Sequence, residues 1–302
     1  MIHPRFTGAT LDRVADVRDD RAELRRLLAD PNARFVAASA DSVLVADGEQ
    51  SLLRQRLDGQ VNPYQPILLG LEDGRPLFAT DMSEPEADAR IEATGVGRLM
   101  SLREAGMVLP HPEGALAAYL VALLNWHRNH RFCAFCGAST KVAEAGLSRR
   151  CTSCKRTHFP RTDPVVIMLV EHDGQVLLGR RVGWEAGRFS ILAGFVASGE
   201  TPEEAVVREV HEESEIIAHS PRYMASQPWP FPSSLMLGYE ASADGGDPVP
   251  QVGEMAEVRW FSHAEIVAAS TPGFTGTPRL PGEISIARAL IDAWVARGGH
   301  RL

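Results

Sequence analysis

Apolar positions change their rhythm along the chain. Over residues 1–110 they come in short β-like runs: Arg34–Ala38, Ser42–Val45, Gln65–Leu71 and Arg75–Ala79. Asp47-Gly48 and Asp73-Gly74 supply turn signals between or beside them. Ser51–Leu57 and Ser83–Ala93 read as short helices. A longer apolar stretch, Ala115–Trp126, follows Pro112 and Glu113 and runs into Arg128–Arg131. An acidic first turn and a basic last turn complement the helix dipole, so this stretch predicts one helix. From Asp163 onward strands and helices mix. Val165–Val170 reads as a buried strand, and Gln175–Leu178 as its partner across Asp173-Gly174. Phe189–Leu192, Leu235–Tyr239 and Glu257–Phe261 read as further strands, Pro202–Ser214 and Ile284–Ala296 as helices.

Composition narrows the class. The 302 residues are enough for two domains at ~100–200 residues each. With 44% hydrophobic and 23% charged residues the chain is globular rather than disordered. The start, MIHPRFTGATLDR, has no apolar core, and runs such as Ala115–Leu124 fall short of the ~18 residues a bilayer requires. A soluble cytoplasmic protein with no membrane partner is therefore expected. The formal net charge of −8 argues against a general DNA binder, provided the charge is evenly spread. It is not. Residues 200–215 hold seven glutamates and one arginine, whereas 128–161 hold eight basic residues and one acidic.

All four cysteines lie in that basic stretch, as Cys133-Ala-Phe-Cys136 and Cys151-Thr-Ser-Cys154. Each CxxC sets two sulfurs on one tight turn, and two such turns can face each other as a tetrahedral set of thiolates suited to Zn²⁺. A redox CxxC or buried free thiols are the alternatives, and the doubled motif disfavours both. Four protein ligands leave no open position, so the metal would be structural. Zinc ribbons also bind nucleic acid, which keeps that function open for the segment.

The acidic stretch is a glycine loop feeding a helix. Thr201 is a good N-cap, Pro202 suits the first helical position, and Glu203 and Glu204 sit at the positive end. At ~100° per residue, Glu209, Glu212 and Glu213 share one face. Such like charges repel unless a cation sits among them, and oxygen-only ligands point to Mg²⁺ or Mn²⁺. Arg208 stands at i, i+4 to Glu212. A solvated acidic face is the bland alternative. Downstream, Gln227-Pro228-Trp229-Pro230-Phe231-Pro232-Ser233-Ser234 combines stiff backbone, flat rings and polar tips. That combination suits an adenine or nicotinamide ring, or else a loop packing its aromatics into the core.

The spacing Gly194, five residues, Glu200, seven residues, Arg208-Glu209-Val210-His211-Glu212-Glu213 resembles the Nudix box, Gx5Ex7REUxEExGU, with Ile216 as its last apolar position. Glu215 departs from it, standing where the box has the glycine that ends the helix in left-handed conformation. A non-glycine residue there costs ~1–2 kcal/mol or changes the turn, and we expect an altered helix end with catalysis retained. Four cysteines, a Nudix box and then SQPWPFPxS together resemble the NADH pyrophosphatase branch of the Nudix hydrolases, from about residue 113 to the C-terminus.

The resemblance implies an α/β (α+β) fold: a Nudix α/β/α sandwich with a mixed sheet, preceded by a zinc ribbon and a β-rich N-terminal domain. The corresponding divisions are 1–127, 128–160 and 161–302. It implies Zn²⁺ on Cys133, Cys136, Cys151 and Cys154. It implies catalytic Mg²⁺ or Mn²⁺ on Glu209, Glu213, the carbonyl of Ala193 and a distant carboxylate, Glu254, with Glu257 as the nearby alternative. Glu213, Glu209 and Glu212 would carry catalysis. Substrate would meet Gln227–Ser234, Phe195, the backbone near Ala287, and Arg103. Phe159 stands where the branch has tyrosine. The branch's glutamate between the CxxC pairs falls near Gly146, with Glu144 close by. The implied reaction splits NAD(H) into nicotinamide mononucleotide and AMP, in a homodimer, with NAD-capped RNA as a second substrate. ADP-ribose hydrolysis and a non-catalytic nucleotide sensor are the rivals.

Overall fold

The computed structural model describes residues 2–48, 50–56, 66–82 and 97–300. The expected helix at 83–93 lies outside them. The chain divides into two compact units. One comprises Phe6–Thr162 with Trp229–Ser233; the other comprises Met1–Arg5, Asp163–Pro228 and Ser234–Leu302.

The first unit opens with α1 (Arg21–Ala29), which the apolar pattern did not announce. Asp20 caps it by accepting from the Ala22 and Glu23 N–H groups. A five-stranded sheet follows, built from β1 (Arg34–Ser39), β2 (Ser42–Val45), β3 (Ile67–Glu72), β4 (Arg75–Asp81) and β5 (Arg98–Ser101). Its order is β3-β4-β1-β2-β5; β1 and β4 run parallel and the other neighbours antiparallel. Ser51–Arg56 is not the expected helix. Leu52 is buried and bridges Val45, while Gln55 exchanges both main-chain hydrogen bonds with Phe35. Pairing to the sheet satisfies the backbone that a helix would have satisfied locally. After α2 (Leu102–Val108), α3 (His111–Asn129) contains the predicted apolar stretch and buries most of it. A three-stranded ribbon, β6 (Thr140–Ala143), β7 (Ser148–Cys151) and β8 (Thr157–His158), completes the unit.

In the second unit β9 (Asp163–His172) is central. β10 (Gln175–Arg181) and β11 (Leu192–Phe195) pair with it antiparallel, and β13 (Ser234–Ala243) parallel. β12 (Ala218–Trp229) and β14 (Met255–Ser262) lie at the ends of the path β12-β13-β9-β10-β14. The strand expected at Phe189–Leu192 begins three residues later, and only Ser190 makes an isolated bridge, to Gly179. Pro221 and Pro228 sit in β12, an edge position where a missing N–H costs no ladder bond. The apolar run of β9 is buried on both faces. Val166, Met168 and Val170 pack with Ala205, Val206 and Val210 of α4 (Pro202–Ser214). Ile167 and Leu169 pack with Ile286, Leu290, Ile291 and Trp294 of the last helix, α6 (Ile286–Ala296). A short α5 (His263–Ala269) lies between β14 and α6. Helices on opposite faces of a mixed sheet make the α/β/α sandwich that the resemblance implied.

Candidate active site

The helix α4 starts as its sequence dictates. The Glu204 N–H donates to Thr201 Oγ1 at 3.2 Å, and the Thr201 N–H donates to Glu204 Oε2 at 2.8 Å, a reciprocal capping box. Its other end corrects our expectation. Glu215 takes the left-handed conformation itself, with φ 57° and ψ 5°, so the turn keeps its shape and the cost falls on the backbone of a residue with a Cβ. The carbonyls of Ser214 and Glu213 then accept from the Val249 and Gln251 N–H groups at 2.8 and 3.3 Å. That pins the segment leading to Glu254 against the helix end.

The three helix carboxylates part company. Glu213 is buried, its side chain 2% exposed; Glu209 is half-buried; Glu212 is exposed. Arg208 gathers the outer ones. It donates to Glu200 at 2.7 and 2.8 Å, to Glu209 at 2.7 Å, to Glu212 at 2.9 Å and to the Phe195 carbonyl at 2.9 Å. This clamp holds Glu200 down to about 2. The first glycine of the box has a plain steric reason. A Cβ on Gly194 would lie 1.8 Å from the Glu209 carboxyl carbon, so only glycine lets β11 approach α4 this closely.

On the inner side stands a residue that the sequence reading passed over. Arg181, at the end of β10, points one nitrogen, Nη2, at the Ala193 carbonyl (3.0 Å), Glu213 Oε1 (3.2 Å) and Glu254 Oε1 (3.1 Å). Glu254 is thereby grouped with Ala193 and Glu213. Glu257 instead faces Arg180 at 3.6 Å. Burial pushes the Glu213 carboxyl up to about 7 against the pull of Arg181, and burial also raises Glu209. Glu213 Oε2 is buried without a hydrogen-bond partner. The oxygen-only donors, an unpartnered buried oxygen and an arginine standing in as cation all fit a hard divalent ion. The only sequence signal for Arg181 was a doubled arginine closing an apolar strand.

The four sulfurs form a compact set of metal ligands of a different kind. They lie within 4.8 Å of one another, with Cys133–Cys154 at 3.7 Å and Cys136–Cys151 at 3.5 Å. A tetrahedron of sulfurs ~2.3 Å from zinc has edges of ~3.8 Å, so the set fits zinc. Burial opposes ionisation of Cys151, but the N–H groups of Ser153 and Cys154 overcome it and pull the thiol down to about 6. His158 Nε2 lies 3.2 Å from Cys133 Sγ, an outer hydrogen bond of the kind that tunes metal-bound thiolates.

The expected substrate residues divide by accessibility. Phe195 and Phe159 are exposed. Trp229 and Phe231 lie edge to face, ring centroids 5.0 Å apart, and the Arg103 guanidinium sits 5.2 and 4.0 Å from their centres. Pro230 is buried, Ser233 and Ser234 half-buried, Pro228 and Pro232 exposed. Gln227 is fully buried. Its Nε2 donates to the Arg5 and Ile284 carbonyls, and its Oε1 accepts from the Ile286 N–H. It shapes the loop and the start of α6 and presents no open atom to a ligand. Ala287 is likewise buried, its N–H directed to Ser285 Oγ at 3.2 Å. Gly146 admits no glutamate: its φ is +99°, and a Cβ there would meet Ile67 at 2.7 Å.

These features converge with sequence relationships. The NUDIX domain family matches residues 160–278, the NADH pyrophosphatase zinc ribbon domain 128–159, and the NADH pyrophosphatase-like rudimentary NUDIX domain 32–126. A Mycobacterium bovis protein named NAD-capped RNA hydrolase NudC is 41% identical over 271 residues, 85% of this chain and 84% of its own. The chain belongs to the Nudix family, in its NADH pyrophosphatase branch. A Deinococcus radiodurans protein of the same name is 35% identical over 285 residues, 93% of this Nudix chain and 92% of its own. A solved NUDIX hydrolase from Nitrosomonas europaea is 26% identical, covering 46% of this chain and 81% of its own, with a TM-score of 0.40. The rudimentary NUDIX match covers most of the N-terminal β-rich region.

Proposed function

We propose that this protein hydrolyses the pyrophosphate bond of NAD(H) to nicotinamide mononucleotide and AMP, and removes NAD caps from RNA 5′ ends. The observation that carries this is the joint match to the branch's own zinc ribbon and to relatives named NAD-capped RNA hydrolase at 41% and 35% identity over most of both chains.

In this reading Glu209, Glu213, Glu254 and the Ala193 carbonyl hold Mg²⁺ or Mn²⁺. Such ions neutralise the pyrophosphate oxygens and acidify an attacking water when bound. Glu213, the most buried carboxylate of the cluster, serves as a metal ligand or as the group that takes the water's proton. Glu212 acts with Arg208 to keep Glu209 and the Gly194–Glu200 loop in place. Zinc on the four cysteines is structural. Among the described residues no helix is long and apolar enough to cross a membrane.

Proposed substrate contacts on the Nudix unit are Phe195, Pro228 and Ser234. On the other unit they are Phe159, Arg103 and Trp229–Ser233. The divisions 1–127, 128–160 and 161–302 and the homodimer rest on the resemblance to the branch, and the cytoplasmic location on the short apolar runs of the sequence. The intact carboxylates favour catalysis over a sensor.

The test is a substrate panel in Mg²⁺ or Mn²⁺: NADH, NAD⁺, ADP-ribose and NAD-capped RNA, ranked by kcat/KM with products resolved chromatographically. The dinucleotide or its capped RNA should lead. Preference for ADP-ribose would overturn the substrate assignment.

A further inference from the structure

Two arginines touch the oxygens that the proposed reaction assigns to divalent metal: Arg208 holds Glu209 from the outer side, and Arg181 reaches Ala193, Glu213 and Glu254. A single nitrogen carrying two hydrogens faces three acceptors, from β11, the end of α4 and the segment before β14. At least one acceptor must share a hydrogen, and Glu213 Oε2 beside them has none. The arginine therefore only partly compensates these oxygens. It is also poorly anchored. Its side chain is 43% exposed, and the ladder between β10 and β14 slips between Arg180 and Arg181, a bulge that re-aims the side chain.

We propose that Arg181 is a built-in competitor for the catalytic metal: it neutralises Ala193, Glu213 and Glu254 in the metal-free protein and leaves them when a divalent ion binds. The proposal rests on the carboxylate site being the metal site. A divalent ion and the Arg181 guanidinium compete for the Ala193, Glu213 and Glu254 oxygens, because like charges at that separation repel in a partly buried setting. Metal binding thus includes the cost of expelling the guanidinium, so the residue raises the metal concentration at which the site fills. In exchange it keeps a buried carboxylate from standing uncompensated when metal is scarce.

The experiment is Mn²⁺ binding to the zinc-loaded full chain, followed by EPR and calorimetry without substrate, for wild type, Arg181→Gln, Arg181→Lys, Arg180→Gln and Glu213→Gln. Arg181→Gln should tighten Mn²⁺ binding roughly fivefold or more, the scale of one displaced ion pair. Arg180→Gln removes the same charge one residue away and should change affinity far less. Unchanged or weaker binding in Arg181→Gln would overturn the proposal, as would equal tightening in Arg180→Gln, which would mean simple long-range charge. If Glu213→Gln leaves Mn²⁺ binding intact, the metal-site reading itself fails and takes the proposal with it.

Should Arg181→Gln not fold, Arg181→Lys and the wild type still decide. Arginine side-chain ¹⁵N resonances of the wild type, assigned with Arg181→Lys, should show Arg181 protected without Mg²⁺ and solvent-exchanging with it. A resonance unmoved by saturating Mg²⁺ would contradict displacement.

Discussion

The four-cysteine cluster and the proposed metal site on the carboxylates are built in opposite ways. The thiolate site draws its four ligands from two tight turns within residues 133–154, and its sulfurs already stand at zinc-like separations. The carboxylate site gathers Arg181, Ala193, Glu209, Glu213 and Glu254 from two strands, a helix and a loop. It keeps one oxygen unpartnered and fills part of its volume with an arginine. A local, closed set suits a permanent structural ion; a dispersed, over-supplied oxygen set suits ions that exchange during turnover.

The comparison breaks most clearly at the ribbon. Cys151→Ser should drop zinc from about one per chain to near none and unfold the 128–160 segment, read by metal analysis and limited proteolysis. Full zinc retention would show that the site is not a four-thiolate centre. On the carboxylate side, Gly194→Ala places a methyl where the Glu209 carboxylate lies. It should lower kcat/KM about 100-fold with zinc content unchanged, because a displacement of ~1 Å at such a site costs that much. Activity near wild type would show that Glu209 is not held for catalysis.

The difference also has a pH signature. Folded Glu213 titrates at about 7 against an ordinary 4.5, so between these values the folded chain keeps a proton that the unfolded chain has lost. Its contribution to stability is therefore favourable at low pH and is lost as pH rises through that window. Without added Mg²⁺ or Mn²⁺, Tm of wild type relative to Glu213→Gln should fall by roughly 2–6 °C across it. A flat difference would remove the buried-carboxylate account. The smallest effect is Glu215→Gly, expected to stabilise by about 1 kcal/mol in denaturant titration and to leave kcat/KM within a few-fold. A large gain in turnover would mean that the departure from the box damages the site.

What the sequence disclosed follows the same division. Cys133–Cys154 and the Thr201–Glu204 cap were legible because their partners are near in sequence. The run 165–170 announced a strand buried on both faces because every position is apolar. Arg181 and Glu254 could not be paired from sequence, since only the ladder between β10 and β14 and the hydrogen bonds from the Val249 and Gln251 N–H groups bring them together. Helix and sheet pairing compete for the same backbone groups at Ser51–Arg56, and Phe35 decided the outcome. Gln227 looked like a ligand contact because its tip is polar. Its three main-chain partners lie far along the chain at Arg5, Ile284 and Ile286.

The central claim is that the carboxylate cluster of this Nudix chain cleaves the pyrophosphate of NAD(H). Its most direct test is kcat/KM for NADH in Mg²⁺ or Mn²⁺, wild type against Glu213→Gln, with zinc content and Tm recorded on the same preparations. We predict wild-type formation of reduced nicotinamide mononucleotide and AMP in equal amounts. Glu213→Gln should lose about a thousandfold or more of that activity while keeping its zinc and its fold. Near-normal turnover in Glu213→Gln, or no cleavage of NADH by the wild type, would contradict the account.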